Sequence, residues 1–180
     1  MSEFRKANTD YPFFITLPVV GWIDVFTRSD YCDEFLKNLE YCRKNKGLKI
    51  YAYCIMSSHI HLIVSADDIK LPGIIRDLKS YTAKRLLKLI SEHPTESRKE
   101  WMLAKFEKAG RLNPGNDIYQ FWQHDNHPIE LASFSMFKEK LDYIHNNPVV
   151  AGFVTEAYYW KYSSAIDYSG GTGVLEIDFV

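Results

Sequence analysis

Apolar and polar positions alternate or recur along the chain with enough regularity to name its elements. Tyr11 to about Leu17 (YPFFITL) is β-branched and aromatic, which predicts a buried strand. From Ser29 the period lengthens: Cys32, Phe35, Leu36, Leu39 and Cys42 recur at helical spacing. Ser29 or Asp30 can cap that helix, and Gly47 ends it after a basic last turn. The next stretch, LKIYAYCIMSSHIHLIVS, is two apolar runs, Leu48–Met56 and His59–Ser65, around Ser57-Ser58: a hairpin. Pro72 opens a helix with Ile75, Leu78, Thr82, Leu86 and Leu89 inward, and Pro94 stops it. The polar residues 95–116 predict a short helix and a loop through Asn113-Pro114-Gly115. Ile118–His124 (IYQFWQH) reads as a strand. From Ser135 a last helix runs through Phe137, Leu141 and Ile144, with Pro148 forcing an exit near Asn147.

The order β-α-β-β-α-(α)-β-α predicts an α+β fold, a ferredoxin-like sandwich. Its antiparallel sheet carries helices on one face and leaves the other free for a substrate. The 180 residues suit a single domain, with a core over about 11–154 and a loop-rich tail over 155–180. Apolar residues are 46% and charged residues 25%, against a disordered chain. No apolar run is long enough for a membrane span and the start has no hydrophobic signal segment, so a cytoplasmic protein is expected. Three cysteines (Cys32, Cys42, Cys54) without a CxxC pair argue against a disulfide scaffold or a zinc knuckle.

Charge is unevenly distributed. Net charge is −1 overall, yet residues 70–111 carry 11 basic and 5 acidic side chains, whereas residues 112–180 carry 3 and 9. Arg76, Lys79, Lys84, Arg85 and Lys88 form the basic side of the second long helix. They are candidates for phosphate contact, or else a solvated helix face.

Two constellations carry chemistry. His59 and His61 stand two apart on one strand, so both imidazoles project to the same face, roughly 6.6–7 Å apart at Cα. Such a pair can share one divalent cation; ordinary strand histidines also occur in this pattern, and alone it names no reaction. On the last helix Tyr143 lies off the apolar stripe, with Asn147 one turn later on the same side. Tyr143 can instead pack at the stripe edge and Asn147 can cap the helix.

The hairpin YAYCIMSSHIHLIVS, the later FWQHDNHP and the helix LDYIHNNPVVAGFV together resemble the REP-associated tyrosine transposases, within the single-tyrosine HUH (His-hydrophobic-His) transposases of insertion sequences. The resemblance runs from the first strand to about Phe153. It implies that His59 and His61 hold Mg²⁺ or Mn²⁺ and that Tyr143 is the nucleophile toward single-stranded, hairpin-bearing DNA. Asn147 falls where insertion-sequence relatives carry a metal-binding glutamine. A phenol, mostly protonated at neutral pH, needs a cation or base to attack a phosphodiester. The implied product is a 5′-phosphotyrosine with a released 3′-hydroxyl, and a monomer is expected over a homodimer. A rival reading keeps the fold as a non-catalytic hairpin-binding module. A histidine phosphoesterase is disfavoured because His93-Pro94-Thr95 is an isolated H-x-[ST] match, and a cupin-like barrel because the chain has long helices. His124 and His127 are further candidates for DNA or metal contact, and Trp122 is read as core.

Overall fold

The computed structural model describes residues 11–66, 70–113 and 118–180. Strand β1 (Phe13–Pro18) is followed by helix α1 (Ser29–Lys46), strands β2 (Lys49–Ile55) and β3 (His59–Ser65), helices α2 (Leu71–Glu92) and α3 (Lys99–Arg111), strand β4 (Ile129–Glu130), helix α4 (Phe134–Val150) and the short α5 (Ala165–Tyr168). The sheet order is β2-β3-β1-β4 and every pairing is antiparallel, the arrangement of a ferredoxin-like sandwich. The expected turn from residue 114 onward lies outside the described residues.

Local chemistry explains most boundaries. Gly47 ends α1 in the left-handed conformation (φ 71°), its N–H donating to the Cys42 carbonyl, as a glycine allows without steric cost. Pro72 occupies the first turn of α2, where its missing N–H is harmless. Between Ile50 and Ala52 a bulge shifts the register of β2. It brings Ile50 and Tyr53 to one face and Ala52 and Cys54 to the other.

The two faces differ. On one, Ile15, Leu17, Ile60, Leu62 and Val64 pack with α1 and α2 into the main core. On the other, Phe14, Ala52, Cys54, Met56 and Ile63 meet Phe137 and Ile144 of α4. The second face is therefore only partly open. The stripe of α4 must be covered, and the small Ala52 and Cys54 let it approach β2.

Three expectations on individual elements change. Ile118–His124 forms no strand beyond a single bridge from Trp122 to Val19. Phe121 and Trp122 are drawn into the main core, with Trp122 Nε1 donating to Thr82 Oγ1 at 3.1 Å. The fourth strand is the two-residue β4 instead. The last helix starts at Phe134, capped by Ser133, whose hydroxyl accepts from the Met136 N–H. It also runs past Pro148 to Val150. A proline this near the end removes one helical hydrogen bond, and buried packing of its ring offsets that cost. The tail is not loose: Tyr162, Ser164 and Asp178 exchange backbone hydrogen bonds with Ile55, Tyr53 and Ile50 along the outer edge of β2. Among the described residues no helix is long and apolar enough to cross a membrane.

Candidate active site

His61 lies at the point where β3 and β1 are paired and α4 closes from above. It is 3% exposed. Its Nδ1 is 3.0 Å from Oγ1 of Thr16, its cross-strand neighbour, and its Nε2 is 3.2 Å from Nδ2 of Asn147. An amide nitrogen only donates, so Nε2 carries the lone pair and Nδ1–H donates to Thr16; this tautomer follows from the hydrogen-bond network. Burial, reinforced by His59, pushes His61 down to about 3. At neutral pH it is an uncharged imidazole with an available lone pair.

His59 stands two residues earlier on the same face. Its ring centroid is 4.7 Å from that of His61, and its Nδ1 is 3.2 Å from Ser58 Oγ. Burial lowers its pKa too, with Asp24 acting in the opposite direction.

Tyr143 is 50% exposed, and its ring centroid lies 5.3 Å from that of His61 and 5.9 Å from that of Phe14. The ammonium of Lys140 is 5.8 Å from the centre of the phenol ring. Beyond Tyr143, a surface groove of about 450 Å³ runs along α4 past Asp142, Asn146 and Asn147. The structure thus brings His59, His61, Tyr143 and Asn147 together. Asn147 is not a helix cap: it sits inside α4 and its amide faces the sheet.

Two neutral imidazoles stand here, and a turn of the Asn147 side-chain amide would bring its oxygen beside them, an N,N,O set of the kind that can hold a divalent cation. Among the described residues no cluster of three His, Cys, Asp or Glu side chains could replace it. The Nε2 lone pair of His61 is engaged by the Asn147 amide.

Other histidines serve elsewhere. His145 points to the far side of α4, bonded to Ser164 Oγ at 2.9 Å, and burial lowers it to about 4. His93 pairs with Asp30 at 3.3 Å. His124 and His127 are exposed, on the segment that runs alongside β1.

The basic residues of α2 separate into different uses. Lys79 is no free cation: its ammonium donates to the carbonyls of Gln123 (2.7 Å) and His124 (3.2 Å) and to Asn126 Oδ1 (2.6 Å). Burial lowers it to about 8. It fastens residues 123–126 to α2. Arg85 pairs with Glu34 on α1, Arg76 with neighbouring Asp77, and Lys88 weakly with Glu92 at 3.8 Å. Lys84 has no ion pair among the described residues and lines a groove of about 850 Å³ with Arg76, Lys79 and His124.

Sequence reasoning did not single out Thr16, Phe14 or Trp22, which surround the histidines. Thr16 becomes legible only through the β1–β3 register. Trp22 is 55% exposed, and its ring lies 5.3 Å from His59.

Comparison with known proteins finds similarity to transposases. A family described as "Transposase IS200 like" matches residues 23–106, which include the histidine pair and end before Tyr143 and Asn147. A protein of Haemophilus influenzae named as a REP-associated tyrosine transposase is 28% identical over 168 residues, covering 91% of this chain and 85% of the relative. The fold matches that of a REP-associated tyrosine transposase solved with a REP hairpin. The TM-score is 0.60 and the identity 19%, and the match covers all of this chain and 92% of the other.

Proposed function

We propose, taking as premise that this chain is a relative of the IS200-like transposases, that it is a metal-dependent single-stranded DNA endonuclease and strand transferase acting on hairpin-bearing DNA. The observation that carries the reading is the half-exposed Tyr143 phenol beside the neutral His61, which Asn147 contacts from the same helix. Tyr143 Oη attacks the phosphorus, the bond to the 3′ oxygen breaks, and that oxygen leaves with a proton as a 3′-hydroxyl. The phenol proton passes to solvent, and the 5′ phosphate stays on tyrosine. An aryl phosphate retains the bond's free energy, so a second 3′-hydroxyl can reverse the step and join strands without ATP.

His59, His61 and Asn147 would hold Mg²⁺ or Mn²⁺. When bound, the ion neutralises charge on the phosphate oxygens. Thr16 fixes the His61 ring so that Nε2, not Nδ1, faces the ion position. Neighbouring apolar rings, Phe14 above all, keep the imidazole face dry. Lys84 and Arg76 offer charge to a phosphate backbone along the groove beside α2. We read the protein as a monomer rather than a homodimer.

The test uses the purified protein, Mn²⁺ and single-stranded hairpin oligonucleotides drawn from around its own gene. A covalent protein–DNA adduct on denaturing gels is expected, absent with Tyr143→Phe and absent with chelator. An adduct that persists in Tyr143→Phe overturns the assigned nucleophile. Hairpin binding without any adduct in the unaltered protein would make it a binding module.

A further inference from the structure

Trp22 is a large aromatic left 55% exposed, and its indole lies edge-on to His59 at 5.3 Å. It begins a row of rings: Trp22 to His59 at 5.3 Å, His59 to His61 at 4.7 Å, His61 to Tyr143 at 5.3 Å. Its backbone is left-handed (φ 54°), directly after Gly21 at φ 64°. A tryptophan in that conformation is strained, and such strain persists only where surroundings enforce it.

They do enforce it. The Trp22 N–H donates to the Val19 carbonyl at 3.0 Å, and Val20 N–H to Phe121 at 2.8 Å. Ile23 and Val25 are buried on the following side. Arg98 donates to the Asp24 carbonyl at 2.8 Å and to Thr27 Oγ1 at 2.9 Å. That arginine is itself locked to Glu96, whose side chain is fully buried and shared with Arg28. The turn is thus braced from β1, from the segment at Phe121 and from the start of α3. Its product is one indole held out in solvent beside the histidine pair. The other non-glycine residue with positive φ among those described, His127, follows Asn126, whose carbonyl accepts from Thr16 of the same site.

We infer that Trp22 is a base-stacking platform for the unpaired nucleotide next to the phosphate that Tyr143 attacks, and so a substrate-positioning residue. The inference rests on the proposed DNA strand transfer. Every base presents a π-face, and a flat ring on a rigid turn loses little entropy on accepting one. The residue precedes the segment that matches the transposase family, so its role is read from this chain's geometry alone.

The experiment combines Trp22 variants with Tyr143→Phe, which stops covalent capture. The probe is a DNA hairpin with a short unpaired flank, intact or with one abasic site stepped along the flank. Trp22→Gly relieves the backbone strain, so the variant should be no less stable, yet bind the intact probe about 5- to 150-fold more weakly, the range of one base stack. Trp22→Tyr should restore most of that affinity. One abasic position should erase the difference between Trp22 and Trp22→Gly, while others preserve it. Equal affinity of Trp22 and Trp22→Gly for the intact probe in the Tyr143→Phe background, while the protein with Tyr143 intact forms adducts, overturns the platform and leaves strand transfer standing. Equal loss at every abasic position also overturns it. Absence of both adduct and binding overturns the two readings together.

Discussion

The two faces of one sheet are built to opposite ends. Under α1 and α2, β3 contributes Ile60, Leu62 and Val64, all fully buried among apolar side chains. One residue along, the same strand contributes His59 and His61, whose nitrogens are matched by Ser58, Thr16 and Asn147. Alternation along a strand therefore places rigid packing directly behind a polar site. The apolar face fixes the position of the histidines, and the polar face uses that rigidity to hold neutral imidazoles beside Tyr143.

Crossing the two faces by mutation should give opposite phenotypes. Leu62→Ala should lower unfolding free energy by about 2–5 kcal/mol, read by urea denaturation. In the fraction that folds, adduct formation should persist. His61→Ala should reduce metal-dependent cleavage on the order of 100-fold or more while hairpin affinity stays, read by gel assay and by titration. If His61→Ala cleaves normally, the polar face is not the catalytic one.

Acid should strike the second face first. His61 and His145 both sit below the ordinary histidine value of 6.5, at about 3 and about 4, through burial. The unfolded chain then binds protons before the folded one does. Stability is complete above pH 6.5 and declines as pH falls toward 4 and 3. Urea midpoints at pH 7.5 and 5 should show the loss, and His145→Gln should make it shallower. An unchanged slope in that variant would assign the acid sensitivity elsewhere.

The smallest effects belong to the surface of α2. Lys84→Ala should leave stability unchanged and lower the salt slope of hairpin binding by about one phosphate contact. Lys88→Ala, which loses only an exposed pair with Glu92, should alter stability by less than about 0.5 kcal/mol. If Lys88→Ala changes the slope and Lys84→Ala does not, DNA follows the other side of the helix.

How far the sequence could be read depended on whether a feature is local. The hairpin, Gly47 and Pro72 are local signals, and the elements they mark formed near the expected positions. His59 and His61 followed from strand alternation, and Tyr143 with Asn147 from one helical turn. The register between β1 and β3 is a long-range choice, so the partnership of Thr16 with His61 was not visible in advance. Ile118–His124 misled because its β-branched and aromatic residues favour a strand, whereas Phe121 and Trp122 are buried in the main core, as expected of Trp122. Lys79 looked like part of a uniform basic face; only its three acceptors on residues 123–126 distinguish a clasp from a contact.

The backbone bonds from residues 162–178 to β2 have a consequence for handling the protein. An open outer strand offers its unpaired amides to any other chain and invites strand-by-strand stacking. Here residues 162–178 cover that border, with Leu175 and Ile177 tucked into the interior as anchors. A deletion that removed this cover should leave the histidine pair in place and open the edge of β2 to pairing with another copy.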